Sequence, residues 1–383
     1  MKILEQLESR RVWTDDEAMI LDQVRRICAE TIAPNADRYD RESSYPQASM
    51  DAVNGLGLNG LFIPEAYGGA RSRFQVYLAA VKMISEACAS TGIIYATNCH
   101  GMKPLVDFGP EEQKKRLLPR IALGGIGALA IPEPTAGSDA TGMRMRFTPQ
   151  GDDIIVEGNK IFISNGDCAD RILLFGKWSE IDDPKGAISA LIVEKGTPGF
   201  SIGRKEDKMG HRAAPTVELV FDKARVPRAN LLGRPGEGLA ILLASLNKSR
   251  PSVAAHALGI ANAAFKDMVA YMNTRVQSKS RVIDFQGNTF MLADLATDLA
   301  MAERWLDYVA ELVETDARDF GMEASMAKMR AADLAMRIST EAVQMHGGYG
   351  CCRDYRVERL MRDAKITQIW EGTNQVHRQL IGR

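Results

Sequence analysis

Apolar residues recur at three- and four-residue intervals through residues 16–31 and 76–89, a period that predicts helices there. Between about residues 125 and 235 the pattern changes to short β-rich runs at 154–157, 172–175, 187–194 and 217–221. Turn signals separate them, among them Asp182-Asp183-Pro184-Lys185-Gly186 and Gly196-Thr197-Pro198-Gly199. Past about residue 236 the helical period returns. Leu292, Leu295, Leu299, Ala302, Leu306, Val309 and Val313 step along it as the seam of a packed bundle. The pattern predicts a helical domain over 1–124, a β domain over 125–235 and a helical bundle over 236–383. A chain of 383 residues agrees with several packed units, because single cores stop growing at roughly 250–300 residues.

Composition narrows the classes. Lys plus Arg number 48 against 49 for Asp plus Glu, so the net charge of −1 gives no footprint for nucleic acid or an anionic membrane surface. Hydrophobic residues make 45% of the chain, ample to offset chain entropy and form cores. The weakly polar stretch at 121–131 is far short of a membrane span, and the first residues lack a signal-peptide apolar run. The six cysteines are scattered except for adjacent Cys351 and Cys352, which would pair only under strain. The expectation is a reduced, cytoplasmic protein.

Some apparent motifs carry no chemistry. Gly55, Gly57 and Gly60 fit GxGxxG, but a helix end precedes them and Pro64 follows, so they read as glycines that end a helix and turn the chain. The five histidines, His100, His211, His256, His346 and His377, never fall at metal-ligand spacing and read as scattered structural or surface residues. No metal is expected, and no GxSxG supports a hydrolase.

Three clusters are polar and glycine-rich where a plain fold needs neither property. The first is Pro132-Glu133-Pro134-Thr135-Ala136-Gly137-Ser138-Asp139, stiffened by prolines and supplied with hydrogen-bonding oxygens. In the second, residues 158–166, strand alternation sets Phe162 and Ser164 on one face, where a flat ring could meet an apolar plane and a hydroxyl together. The third runs from 344 to 378. Gly347, Gly348 and Gly350 let backbone amides approach an anionic or flat ligand. Glu371, between Trp370 and Gly372, is a carboxylate in an otherwise apolar stretch.

In their order and spacing these pieces resemble the acyl-CoA dehydrogenase family over nearly the whole chain. The matching pieces are Pro64-Glu65-Ala66-Tyr67-Gly68-Gly69, the EPxAGSD run at 133–139, residues 158–166, and Lys208-Met209-Gly210. Val226-Pro227 with Leu232-Gly233, Gly259, Gln344 with Gly347 and Gly348, and Arg362-Asp363 through Glu371-Gly372-Thr373 complete them. The resemblance implies a mainly α fold with a central β domain: an N-terminal α-helical domain, a middle β-barrel and a C-terminal four-helix bundle. It implies FAD-dependent oxidation of an acyl-CoA thioester to the trans-2-enoyl-CoA, in fatty acid metabolism, with an electron-transfer flavoprotein taking the electrons.

By resemblance Glu371 is the base that takes the α-proton, and flavin N5 accepts the β-hydride. Ile131, Pro132, Ser138, Phe162, Ser164, Gln344, Gly347, Gly348, Thr373 and Gln375 match FAD-site positions. Arg275 and Gln286 match contacts to the FAD of a neighbouring subunit, which implies a homotetramer or homodimer. Ser138 and Arg250 match positions near the CoA moiety, while Trp370 and Gly372 border the acyl group. A related subgroup carries its base on the earlier helix, at a position that is Ser249 here and cannot act as one.

Departures from the family pattern point to a specialised member. Pro132 replaces a threonine and so removes a hydroxyl and an N–H. Ser278 stands where an aromatic FAD contact is usual, and Arg71 lies near the place of an expected glycine. Trp370 would narrow the acyl pocket and favours a short or flat acyl group. Thr91, where dicarboxylate-using members carry arginine, argues against a glutaryl-type substrate. The alternatives are a thioester held on a carrier protein, and a redox-inactive member used as a binding protein.

Overall fold

In the computed structural model the described residues are 6, 8–315, 317 and 319–382. Helix α1 (Asp15–Ile27) starts at a capping box in which Thr14 and Glu17 satisfy each other's backbone amides. Asp15, Asp16 and Glu17 crowd its first turn and Arg25 and Arg26 its last, each sign matched to the helix dipole. After a π-turn come α2 (Ala33–Glu42) and α3 (Gln47–Gly55). Helix α3 ends at Gly55 and Gly57 has φ +65°, so the apparent GxGxxG is a helix end and turn. Helices α4 (Phe74–Ala87), α5 (Ala89–Phe108) and α6 (Glu111–Ala122) complete the first segment; extended Cys88 separates α4 from α5.

An eight-stranded sheet follows: β1 (Gly127–Ala130), β2 (Arg146–Gln150), β3 (Asp153–Ser164), β4 (Arg171–Trp178), β5 (Ile188–Glu194), β6 (Phe200–Lys205), β7 (Thr216–Pro227) and β8 (Leu231–Leu232). Their order is β6-β7-β3-β2-β4-β5-β8, with β1 parallel to β4. The strands wrap a core of their own that includes Phe147, Val156, Ile163, Leu174, Val193 and Phe221. The opposite side of β4 and β5, through Leu173, Phe175, Ala190 and Ile192, joins the helical core instead. Burial on both faces accounts for the near-continuous apolar sequence of those two strands.

Helix α7 (Gly238–Thr274) then runs for 37 residues, followed by α8 (Gln286–Glu314), α9 (Gly321–His346), α10 (Val357–Ile366) and α11 (Asn374–Ile381). Of the seam, Leu295, Leu299, Ala302, Leu306 and Val309 are buried, with Leu292 and Val313 at its partly covered ends. The helices before and after the sheet share one core, although some 115 residues of sequence separate them. Gly259 explains how closely they meet: a Cβ there would lie 2.4 Å from the Lys82 carbonyl of α4. The same interface buries a charged cluster in which Glu303 takes Lys82 (2.9 Å), Arg11 (2.5 Å) and Asn262 (3.2 Å). No helix of the described residues is long and apolar enough to cross a membrane.

Candidate active site

Glu371 lies in the turn between α10 and α11, and its backbone is left-handed at φ +52°, followed by Gly372 at +91°. A non-glycine residue held there stores strain, which persists where neighbours over-determine it. Those neighbours are visible. Lys328 of α9 donates to the Gly372 carbonyl (2.7 Å) and to Asn374 Oδ1 (3.1 Å), and Thr373 caps α11 by accepting from the Val376 amide. The amides of Glu371, Gly372 and Thr373 donate to no protein acceptor among the described residues, leaving donors free for a ligand oxygen.

The carboxylate is approached from two helices. Ser249 of α7 donates to its Oε2 at 2.7 Å; the competing acceptor, the Leu246 carbonyl, is farther at 3.2 Å. His100 of α5 sets Nδ1 3.6 Å from Oε1. Arg250 and Lys328, both buried, add positive potential towards Glu371. Burial pushes Lys328 down to about 7, a shift Glu371 opposes and Arg250 reinforces. Burial likewise lowers Arg250, again against Glu371. His377, pushed down to about 3 by burial and next by Lys328 and Arg250, is neutral under Gly372.

Behind this turn lies a feature that sequence spacing does not reveal. All five histidines are buried, none at the surface, and three of them converge. Trp370 packs its ring against His211 (centroids 5.2 Å apart) and His256 (5.6 Å). Ser85 gives its proton to the Val81 carbonyl, so it accepts from His256 Nδ1 at 2.7 Å. His256 Nε2 is then an acceptor for the His211 N–H at 2.8 Å. Burial drives His256 down to about 3 and His211 well below its usual value, so the pair is neutral. Asp363 closes the row by accepting the His211 amide, and burial raises it to about 6. Among the described residues no group of these side chains is arranged to hold a metal ion.

The other candidate residues fall into distinct places. Arg275, Gln344, Gly347 and Gly348 share a cleft of about 580 Å³ with Tyr271, Phe285 and Tyr349; Gln286 stays off its lining although Phe285 beside it contributes. The Arg275 guanidinium stands 5.7 Å from the Tyr349 ring centre, and a Cβ at Gly347 or Gly348 would meet open space. Phe162 is 60% exposed at a bulge in β3, with φ +57°, and Ser164 flanks it beyond buried Ile163. Ile131 and Pro132 form the half-buried exit from β1; Ser138 is exposed, as is Gln375 on α11. Glu133 in the same loop is a buried structural anchor, paired with Lys160 at 2.8 Å and accepting the Arg144 and Met145 amides. Ser278 and Lys279, both with positive φ, make the tight turn of a two-stranded hairpin, a conformation poorly suited to a bulky aromatic. An exposed aromatic beside a hydroxyl suits one face and edge of a flavin, and open glycine amides beside a guanidinium suit its pyrophosphate, so the residues present fit FAD.

Comparison with known proteins accords with this layout. Residues 14–125, 128–224 and 236–383 match family models described as the N-terminal, middle and C-terminal domains of acyl-CoA dehydrogenase. An "Acyl-CoA dehydrogenase" of Bacillus subtilis is 42% identical over 97% of this chain and 98% of its own. A chain in a structure of the electron transferring flavoprotein of Acidaminococcus fermentans is 40% identical, with a TM-score of 0.94 over 97% of this chain and 98% of that one. Butyryl-CoA dehydrogenase from Megasphaera elsdenii is 37% identical, with a TM-score of 0.94 and the same coverage.

Proposed function

The chain belongs to the acyl-CoA dehydrogenase family, and on that premise we propose that it oxidises a short, unbranched acyl-CoA to its trans-2-enoyl form with Glu371 as base. It is an oxidoreductase whose cofactor is FAD. Phe162 and Ser164 would face the ring, while Arg275, Gln344, Gly347 and Gly348 would hold the pyrophosphate and adenine end from a neighbouring copy. Thr373 and Gln375 would complete the site from the turn side. Bound FAD supplies the hydride acceptor, and the remaining work falls to the chain.

Glu371 removes the α-proton, and the Ser249 hydroxyl keeps one of its oxygens turned away so that the other meets the substrate. The free amides of residues 371–373 support donation to the thioester carbonyl oxygen, where negative charge grows as the proton leaves. Arg250 and Lys328 offset the charge of the carboxylate before reaction. Trp370, braced by His211 and His256, supports a short pocket, as does the likeness to a butyryl-CoA dehydrogenase. The likeness to a chain from an electron transferring flavoprotein structure supports such a protein as electron acceptor.

The observation that carries this reading is the Glu371 carboxylate, held by a hydroxyl, flanked by cations and backed by unengaged amides. Anaerobic mixing of the flavoprotein with straight and branched acyl-CoAs of graded length tests it. Fastest bleaching is expected with four-carbon substrate; no bleaching by any acyl-CoA would overturn the proposal.

A further inference from the structure

The His100 side chain has no place in the reaction described above, yet it is buried on α5 with one ring nitrogen aimed at Glu371. Its other nitrogen, Nε2, hydrogen-bonds the Ser252 hydroxyl. Ser252 is itself fully buried and gives its single proton to the Ser249 carbonyl at 2.7 Å. A hydroxyl has one hydrogen to give, and with it on the carbonyl we assign the Ser252 oxygen as acceptor from an Nε2–H. Neutral His100 is therefore the tautomer whose Nδ1 carries a lone pair, and that lone pair faces Glu371 Oε1 at 3.6 Å.

We propose that His100 is a positioning residue for Glu371: its Nδ1 lone pair is a hydrogen-bond acceptor that Glu371 can use only after capturing the substrate α-proton. The inference rests on Glu371 being the base. Against the ionised carboxylate, Nδ1 offers no hydrogen bond, and 3.6 Å is the spacing of two acceptors. Once the carboxyl carries the proton, its O–H donates to Nδ1 after an approach of roughly 0.6 Å. The proton stays on Glu371 and no bond to His100 forms. The effect is a contact present in the product of proton transfer and absent before it, the kind of interaction that raises rate and not merely binding.

The surrounding groups keep this assignment stable. Burial lowers His100, with Glu371 the opposing influence, and a neutral ring is what the lone pair requires. From α7 the facing groups are Arg250, a cation, and neutral His256; from α9 the facing group is Lys328. Both cations favour the ionised carboxylate, so His100 is the neighbour that favours its protonated form. The same serine-to-histidine arrangement recurs at Ser85 and His256, where the ring's free lone pair is already met by a donor, the His211 N–H, instead of facing a carboxylate.

The test is anaerobic flavin reduction by butyryl-CoA in the holoenzyme, followed in rapid mixing from about pH 5.5 to 9. For His100→Leu the expected result is intact FAD content, about a tenfold slower limiting rate, and an acid limb displaced about one unit to lower pH, the scale of one hydrogen bond. Ser252→Ala frees the ring to flip tautomer and should displace the limb the same way. A His100→Leu profile that superimposes on wild type, or moves to higher pH because His100 was donating, overturns the proposal. Should His100→Leu fail to assemble with FAD, Ser252→Ala decides by the same criterion. Failure of the base itself is distinct: Glu371→Gln would then still bleach.

Discussion

The Ser249 hydroxyl donates to Glu371 across 2.7 Å, linking the middle of α7 to a turn 122 residues later. Hydrogen bonds to a charged acceptor are worth about 1.5–3 kcal/mol. That energy fixes one rotamer of a carboxylate whose backbone is already strained. Ser249→Ala should therefore retain FAD and fold, yet lower the rate of flavin reduction by about tenfold to a hundredfold, with KM little changed. Steady-state assay with an artificial acceptor separates kcat from KM.

Removing the carboxylate proposed as base is a sharper intervention. Glu371→Gln keeps the volume and can still accept from Ser249, so the oxidised flavin spectrum should be unchanged. Reduction by butyryl-CoA should fall about 10³-fold, within the range a positioned general base supplies. Stopped-flow absorbance in the flavin band reads the outcome directly.

Gly348 separates a ligand role from a packing role. A Cβ there meets nothing within 4 Å, so Gly348→Val should fold with an unchanged circular dichroism spectrum. If the cleft with Arg275 and Gln344 seats the cofactor, the variant should purify with little or no bound FAD. Absorbance at the flavin and protein bands gives the stoichiometry.

Lys328 predicts a pH signature. Its folded value of about 7 lies below the roughly 10.4 of an exposed lysine, so the native state binds fewer protons between those limits. Stability contributed by this group is accordingly lowest below about pH 7 and recovers as pH rises towards 10. Lys328→Met should flatten that rise in thermal unfolding, while loosening the Gly372 turn that the ammonium holds.

The buried cluster at α4 and α8 has a dependence of the same sign in an acid window. Burial alone would raise Glu303, but Lys82 and Arg11 prevail and hold it down near 2. The depressed carboxylate stabilises the fold fully above the unfolded value near 4.3, and that contribution is lost as pH falls towards 2. Glu303→Gln should cost about 3–5 kcal/mol at neutral pH, because two buried cations lose their partner. Denaturant titration at neutral pH and at pH 3 should show the deficit shrinking on acidification.

Much of the scaffold was legible because burial wrote itself as period. The three- and four-residue steps of α8, the apolar runs of β4 and β5, and the glycines after α3 each have one dominant physical reading. Strand β6 escaped notice because all but one of its residues are exposed, leaving no apolar alternation to detect. Glu371 and the glycine pair stood out as polar or small residues in apolar surroundings. His100, His211 and His256 did not, since their meeting depends on α5, the loop before β7 and α7 crossing in space. The signal available was weaker: a scarce polar side chain on the buried face of an otherwise apolar helix. Ser249 cannot act as a base, and the structure gives it a different task as hydrogen-bond donor to Glu371.

The shared core of the helices that flank the sheet has a consequence during synthesis. Helix α4 buries its face against α7, and Lys82 finds Glu303 only after 221 further residues. At ordinary translation speeds the first helices emerge roughly ten to forty seconds before their partners. Through that interval the side of α4 at Lys82, Ser85 and Glu86, which meets Gly259 of α7, has no partner in the emerged chain, and the completed sheet cannot substitute. A nascent chain arrested after the β domain should therefore be a chaperone client, and a fragment ending there should aggregate, although its strands have a core of their own.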